Sequence, residues 1–313
     1  MADLAVVIVT WKVRELALQA LRSLYADLDA HGPSADVYVV DSASSDGTPQ
    51  AIAQAFPQAK LLVSDKNLGF AGGNNLALRH IGFGQNHVDQ LPNAVYLLNP
   101  DTITQPGATR TLYDTLMGNP RLGLVGAQLA YADGSFQHSA FRFPGLRQLW
   151  VEFFPTPGRL IESPFNGRYP RALYDSGMPF PIDFPLGATY MLKREVIQQT
   201  GLFDEQFFMY CEEIDWAWRI RKAGWEAQCV PAARVVHLGG QSTSQVRPRS
   251  VVDLWTSRLR LYRKHYPLWK AFIARLMVAV GMQMCARQAR SLPAPDRGAL
   301  VSAYRTVAKM ALR

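Results

Sequence analysis

The stretch that decides the fold is Val95-Tyr96-Leu97-Leu98-Asn99-Pro100-Asp101-Thr102. Its first four residues are typical of a buried β-strand. Pro100 has no backbone N–H and cannot continue a central strand. The strand should therefore end here and hold Asp101 at its carboxyl edge. In open α/β sheets, ligands bind at this edge.

The side chains around Pro100 allow two interpretations. A carboxylate next to the Asn99 amide and the Thr102 hydroxyl forms an oxygen-rich site, which suits Mg2+ or Mn2+ carrying a diphosphate. Asn-Pro-Asp is also favourable turn chemistry, so Asp101 could simply begin a turn. This stretch alone leaves both interpretations open.

The pattern before this strand predicts alternating strands and helices. Residues 4–10 form a continuous apolar run, and with no basic segment before it and no cleavage site this run is expected to be a strand and not a signal peptide. Helical periodicity over 13–28, a strand over 37–41, a helix from 49 and a strand over 60–64 follow. The order β-α-β-α-β is typical of a nucleotide-binding half-fold.

A second acid stands at the end of a predicted strand. Asp41 follows Val37-Tyr38-Val39-Val40 and precedes a hydroxyl-rich turn, so it repeats the strand-end position of Asp101. At this edge it can accept a hydrogen bond from the N3–H of a pyrimidine base or from a ribose hydroxyl. The alternative is that it caps the turn.

A glycine-rich segment, residues 67–75, precedes an amphipathic helix. Gly69, Gly72 and Gly73 would let the backbone approach a ligand closely, or they serve tight helix–sheet packing. They are not a dinucleotide fingerprint, because they follow the third strand and their spacing is wrong. No such fingerprint follows Thr10 either, which argues against a Rossmann-type oxidoreductase.

Three acids crowd the start of a later helix. Glu212, Glu213 and Asp215 lie within four positions, and their repulsion needs a cation, a proton or a helix N-terminus to compensate. They form either an acidic first turn or a catalytic group. The lone His237, by itself, is more typical of a structural histidine.

Composition separates a body from a tail. Residues 1–246 carry a net charge of −4, whereas residues 247–313 carry fourteen Lys and Arg against two acids. This distribution argues against a nucleic-acid binder.

The three cysteines are too few for a disulfide framework or a zinc site, which favours a cytoplasmic setting. The Pro- and Arg-rich residues 144–182 are predicted to be an irregular loop over the site that helps to recognise an acceptor.

The tail is predicted to be helical, over 251–265 and 268–286. The second helix is apolar but interrupted by Lys270 and Arg275, which suits an interfacial helix on an anionic membrane better than a transmembrane span. The alternative is a core or dimer helix that packs on the body.

The chain resembles the family 2 glycosyltransferases of the GT-A fold, and in particular the bacterial rhamnosyltransferase-like members. Five segments carry the resemblance, which spans about residues 4–245: 7–11, 40–48, 67–75, 98–101 and 207–219. Two departures stand out. Asn99-Pro100-Asp101 keeps one acid of the family's Asp-x-Asp, and the usual Glu-Asp pair is here Glu212-Glu213.

The resemblance implies a role for each candidate residue. Glu213 would be the catalytic base, and Asp101 and His237 would hold Mg2+ or Mn2+. Asp41 would bind the nucleotide base. The other donor-binding residues would be Thr10, Asp46, Asn67, Gly72 and Asn99. Glu212, Asp215 and Trp216 would bind the acceptor or the sugar, and Ser242 and Thr243 would lie near the diphosphate.

The expected protein has two parts: a GT-A domain over 1–245, with a Rossmann-like, mostly parallel sheet flanked by helices, and a helical appendage over 246–313. The expected activity is inverting transfer of a sugar from a nucleoside-diphosphate sugar, most plausibly dTDP-L-rhamnose, to a lipid-linked glycan in cell-envelope polysaccharide synthesis. The expected location is the inner face of the cytoplasmic membrane, with a homodimer through the tail as a further option. The alternatives are a UDP- or GDP-sugar donor and a non-catalytic nucleotide-sugar binder.

Overall fold

The computed structural model describes residues 2–85, 91–239, 247–291 and 297–313. The strands are β1 (Leu4–Thr10), β2 (Ala35–Ser42), β3 (Lys60–Ser64), β4 (Ala94–Leu98), β5 (Thr102–Thr104), β6 (Leu122–Ala130), β7 (Phe136–Gln137), β8 (Ala140–Phe141), β9 (Phe180–Pro181), β10 (Phe184–Pro185), β11 (Thr189–Lys193) and β12 (Glu226–His237). The helices are α1 (Arg14–His31), α2 (Thr48–Ala55), α3 (Gly69–Ile81), α4 (Ala108–Gly118), α5 (Leu146–Phe153), α6 (Gly158–Ile161), α7 (Arg171–Asp175), α8 (Arg194–Thr200), α9 (Glu212–Lys222), α10 (Arg247–His265), α11 (Leu268–Gln288) and α12 (Arg297–Leu312).

The central sheet has the strand order β3-β2-β1-β4-β11-β6-β12-β5. The first four strands are parallel, as the β-α-β-α-β pattern predicts. β11 is antiparallel to both β4 and β6, and β12 returns parallel to β6. The predicted mostly parallel sheet flanked by helices is confirmed, and the carboxyl ends of β1, β2 and β4 meet at one edge.

Both faces of the sheet are buried because side chains alternate along β1. Leu4, Val6 and Ile8 pack on one face with α1, α2 and α4. Ala5 and Val7 pack on the opposite face with α3, α8 and α9. The helices that lead into the site are therefore fixed against the sheet.

Two glycines of the 67–75 segment serve packing. A Cβ at Gly73 would lie 2.6 Å from Val9 Cγ1, so α3 can lie against β1 only without a side chain there. Gly69 has a φ of +68° and lies against the backbone oxygen of Phe208, which also accepts a hydrogen bond from Phe70 N at 3.0 Å. The packing alternative explains these two positions.

The prediction of an irregular loop over 144–182 is wrong. The segment contains α5, α6, a 3-10 turn (Pro164–Asn166), α7 and β9. Tyr169, Tyr174 and Phe180 form a small core with Ile182 and Cys229, which explains why a proline-rich stretch is ordered. The pattern did not reveal this because α6 and α7 are too short to show helical periodicity.

The tail is helical as predicted, and a third helix, α12, follows the two that the sequence indicated. A separate apolar core forms where α5 packs against α10, α11 and α12. The predicted boundary at 245/246 lies outside the described residues, so the division into body and tail stays a prediction. Segment Leu268–Ser291 is, among the described residues, the one helix long and apolar enough to cross a bilayer, and a third of its most apolar window is buried.

Candidate active site

The carboxyl ends of β1, β2 and β4 open into a cavity of about 260 Å3, which we call the strand-end cavity. Seven of the twelve predicted site residues line it and are thus brought together by the fold: Thr10, Asn67, Asn99, Asp101, Glu212, Glu213 and His237.

Asp101 and His237 are brought together by strand pairing. β4 ends at Leu98, before Pro100, and the chain re-enters the sheet as β5, whose Thr102 pairs with His237 on β12. Asp101 Oδ1 consequently lies 3.5 Å from His237 Nε2, and the Asp101 backbone oxygen accepts a hydrogen bond from Leu238 N at 2.9 Å. Both side chains are buried.

This pair fits a divalent cation. His237 Nε2 faces the Asp101 carboxylate, and the second ring nitrogen, Nδ1, is buried without a hydrogen-bond partner among the described residues. Carboxylate and imidazole together suit Mn2+ and are compatible with Mg2+. Within the described ranges, however, no three His, Cys or acidic side chains form a metal-ligand cluster. The remaining ligands would have to come from a substrate and from water.

The segment before α9 carries the acidic pair into the cavity. Tyr210 and Cys211 have φ values of +69° and +67°, a conformation that costs non-glycine residues roughly 1–3 kcal/mol each. Neighbouring elements hold this segment in place. Phe70 N on α3 binds Phe208 O, and Ser257 Oγ on α10 donates to Met209 O at 2.8 Å. The position of the pair is therefore set from both sides.

Burial dominates the electrostatics of the pair. It raises the pKa of the Glu213 carboxyl to about 7. Burial and the neighbouring Glu213 raise the pKa of Glu212 well above its usual range. The Oε2 atom of each carboxyl is buried and without a hydrogen-bond partner in the described part of the chain. Near neutral pH the pair can thus hold or accept a proton inside the cavity.

Three other predicted donor-binding residues do not line the strand-end cavity. Asp41 is fully buried beside it and accepts hydrogen bonds from Thr10 Oγ1 at 3.1 Å and Ser44 N at 2.9 Å. Asp46 is exposed and accepts from Thr48 N at the start of α2. Gly72 lies within α3, where an added Cβ would lie 3.3 Å from Leu68 Cβ.

Asp215 and Trp216 also lie outside the cavity, contrary to the predicted contact with acceptor or sugar. α9 begins at the cavity with Glu212, and one turn advances about 5.4 Å away from it. Asp215 is fully buried and binds Lys264 at 2.8 Å and His265 at 2.7 Å. Trp216 lies in the apolar core, where its Nε1 donates to Thr200 Oγ1 at 2.8 Å.

Several lining residues were not among the predicted site residues. Trp11, Phe70, Met209 and Tyr210 line the cavity and lie within one to three residues of predicted ones in the sequence. Their neighbourhood to the motifs is the signal that could have identified them. The predicted contacts of Ser242 and Thr243 fall outside the described residues.

The chain is similar in sequence to known proteins. A family model described as glycosyltransferase-like family 2 matches residues 2–264. An N-acetylglucosaminyl-diphospho-decaprenol L-rhamnosyltransferase, found in two strains of Mycobacterium tuberculosis, is 32% identical over 219 residues, which cover 67% of this chain and 68% of that protein.

Two solved structures share the fold. The mannosyltransferase PcManGT from Pyrobaculum calidifontis, in complex with GDP-Man and Mn2+, has a TM-score of 0.54 at 18% identity and covers 99% of this chain and 84% of its own. GalNAc-T7 with UDP, GalNAc and Mn2+ has a TM-score of 0.58 at 14% identity, covering 99% of this chain and 55% of its own. The chain therefore belongs to glycosyltransferase family 2 and is a glycosyltransferase of the GT-A fold, as its sequence motifs predict.

Proposed function

We propose that this enzyme is an inverting transferase that moves L-rhamnose from dTDP-L-rhamnose to a hydroxyl of a lipid-linked glycan in cell-envelope polysaccharide synthesis. The observation that carries the inverting chemistry is the placement of two unpartnered carboxylates in the same cavity as Asp101 and His237. The 32% identical relative, named as a rhamnosyltransferase with a lipid-diphosphate acceptor, supports the choice of donor and acceptor.

Glu213 is the proposed base. In one displacement, the acceptor oxygen forms a bond to the anomeric carbon as the bond from that carbon to the diphosphate breaks, and Glu213 takes the hydroxyl proton. A carboxyl with a pKa near 7 is matched to this task at neutral pH. Glu212 lies beside it and is proposed to hold the acceptor or the sugar.

Asp101 and His237 would hold Mg2+ or Mn2+ in this proposal. A bound divalent cation would neutralise the negative charge of the leaving diphosphate. Thr10, Asn67 and Asn99 line the same cavity and are proposed to bind the donor. Asp41, buried behind Thr10, is proposed to hold the end of β1 in place for the nucleotide base.

We also propose that the enzyme lies on the inner face of the cytoplasmic membrane through α11. One side of this helix packs on α5 and α12, whereas an apolar face points to solvent. This face consists of Leu268, Trp269, Phe272, Ile273, Leu276 and Val280. The surrounding tail carries a net charge of +12, which complements an anionic surface. A homodimer through the same face is the alternative.

A donor screen tests the activity. Thermal unfolding and slow release of nucleoside diphosphate are followed with Mg2+ or Mn2+ and a panel of dTDP-, UDP- and GDP-sugars. At one hundred times Kd, a bound donor should add about 2.7 kcal/mol to the free energy of unfolding. Stabilisation by dTDP-L-rhamnose that a chelator abolishes supports the proposal. Stabilisation by a UDP- or GDP-sugar would overturn the donor, and binding without any release would favour a non-catalytic binder.

A further inference from the structure

A second cavity, of about 330 Å3, lies between the body and the tail helices, and we call it the arginine cavity. It borders the strand-end cavity at two places. Cys211 lines the arginine cavity, whereas the next residue, Glu212, lines the strand-end cavity. Likewise, Phe184 lines the arginine cavity, and Leu186, two residues later, lines the strand-end cavity. Because Cys211 and Glu212 are consecutive, with Cα atoms about 3.8 Å apart, the two cavities share the backbone at this point.

Three guanidinium groups line this cavity, those of Arg142, Arg168 and Arg258. Glu152 is the one acid among its described lining residues, and it pairs with Arg258. The charges of the lining residues therefore sum to +2, and Glu162, outside the lining, also pairs with Arg168.

The arginines are held by contacts that leave donors available. Arg168 Nε is buried, lies 3.5 Å from Glu162 Oε1, and makes no hydrogen bond with the described residues. The Arg142 guanidinium lies 5.3 Å from the centre of the Tyr169 ring, and Arg258 lies 4.7 Å from that of Trp255. A guanidinium group that lies over an aromatic ring can still donate its N–H groups in pairs to phosphate oxygens.

We propose that the arginine cavity binds the diphosphate of the lipid-linked acceptor, a proposal that rests on the proposed function. In the proposed function, the diphosphate of the donor lies at the cation held by Asp101 and His237 in the strand-end cavity. The arginines are therefore available for the diphosphate of a second substrate. A sugar attached to a diphosphate held here would reach the acidic pair across Cys211. The arginine cavity thus selects acceptors by their diphosphate.

Helix α5 connects this cavity to the buried side of α11. Its residues Gln148, Val151 and Glu152 line the arginine cavity, while Phe153 packs against Gly281 of α11. Trp150 on α5 is half exposed. The lipid attached to the diphosphate can therefore leave the cavity along α5 towards the helix proposed to meet the membrane.

The test compares two acceptors that carry the same sugar, one on a lipid diphosphate and one as a simple alkyl glycoside. Arg168→Gln should lower the kcat/KM ratio of the first to the second by about ten- to a hundredfold, because hydrogen bonds to a charged group are lost. The control, Arg159→Gln, changes an exposed arginine on α6 and should leave the ratio as in the wild type. An equal loss with both acceptors would overturn the proposal.

A binding measurement separates this proposal from the proposed function. Inorganic pyrophosphate is titrated into the full-length protein in the presence of a chelator, so that no cation is left at Asp101 and His237 to bind it and binding reports on the arginines. Binding that Arg168→Gln weakens and Arg159→Gln does not supports the cavity. Binding that neither variant changes, or that is absent in the wild type, overturns it. Failure of every nucleotide sugar to release nucleoside diphosphate would instead overturn the proposed function.

Discussion

At the scale of single residues, Glu213 is expected to govern the pH dependence of transfer. A base must be ionised to accept a proton, and burial raises the pKa of Glu213 to about 7. The transfer rate should therefore rise with pH through about 7. Glu213→Gln should retain donor binding and reduce kcat by at least about a hundredfold. Steady-state rates from pH 5 to 9 check both statements, and a pH-independent rate would assign the base to another residue.

The same carboxyl should reduce stability at high pH. Because the folded-state pKa of Glu213 lies above the ordinary value of 4.5, folding favours its protonated form. Stability is then lost as pH rises from about 4.5 through 7. Glu213→Gln should raise the free energy of unfolding by roughly 1–3 kcal/mol at pH 8 and by much less at pH 5. Urea unfolding at both pH values measures this.

The matched control for that measurement is Glu15→Gln. Glu15 has an 80% exposed side chain on α1, so its replacement should change stability little at either pH. If Glu213→Gln behaved like this control, the burial of Glu213 would not affect its ionisation.

Asp101 is expected to determine the metal dependence of donor binding. Asp101→Asn keeps the size of the side chain and removes the charge next to His237. The variant should lose most of the metal-dependent rise in melting temperature that the donor produces. Asp133→Asn, in an exposed turn, is the control and should keep the full rise. Unchanged metal dependence in Asp101→Asn would remove Asp101 from the site.

At the scale of elements, Asp215 joins α9 to α10. Burial opposes its ionisation, but hydrogen bonds from His265 and Lys264 outweigh burial and lower its pKa to about 2. This contribution to stability is present above the ordinary pKa of 3.8 and is lost as pH falls towards 2. Asp215→Asn should cost about 3 kcal/mol at pH 7, because it removes a fully buried carboxylate that binds Lys264, His265 and Arg219.

A surface pair serves as the comparison for Asp215. Asp114→Asn breaks an exposed pair with Arg110 at the same i,i+4 spacing that joins Asp215 and Arg219. It should cost less than about 1 kcal/mol in the same denaturation experiment. If Asp215→Asn instead raised the KM for acceptor without loss of stability, the acceptor contact predicted from the sequence would be supported.

Asp215 also shows where inference from sequence stops. The strand-end position of Asp101 could be predicted because Pro100 ends β4 locally, and β1 and β3 have the predicted bounds. Asp215 and its partners Lys264 and His265 are about fifty residues apart, and no local pattern links them. The folding of 144–182 was missed for a related reason, since its core is completed by Cys229 on β12.

At the scale of the whole molecule, the apolar face of α11 should determine membrane binding. Replacing Trp269, Phe272 and Leu276 together with Ser removes exposed apolar surface without uncovering the core. The variant should lose most of its co-sedimentation with anionic phosphatidylglycerol vesicles, and the wild type should bind neutral vesicles less. Deleting α11 would be a poorer test, because it would expose the buried side of α10.

The control for vesicle binding is Val63→Ser, which changes a 62% exposed apolar side chain on β3, in the body. It should bind vesicles as the wild type does. Unchanged vesicle binding by the triple variant would contradict the membrane role. Conversion of a dimer to a monomer in light scattering would assign the face to a second copy of the chain.

The segment of residues 208–211 bears on how this protein can be recombined with others. Its backbone is fastened to α3 by Phe70 and to α10 by Ser257, and it leads directly into the acidic pair. The tail is therefore not an exchangeable module. A chimera that takes residues 247–313 from a relative must also take matching partners for Met209 and Asp215, or its acidic pair will be displaced from the cavity.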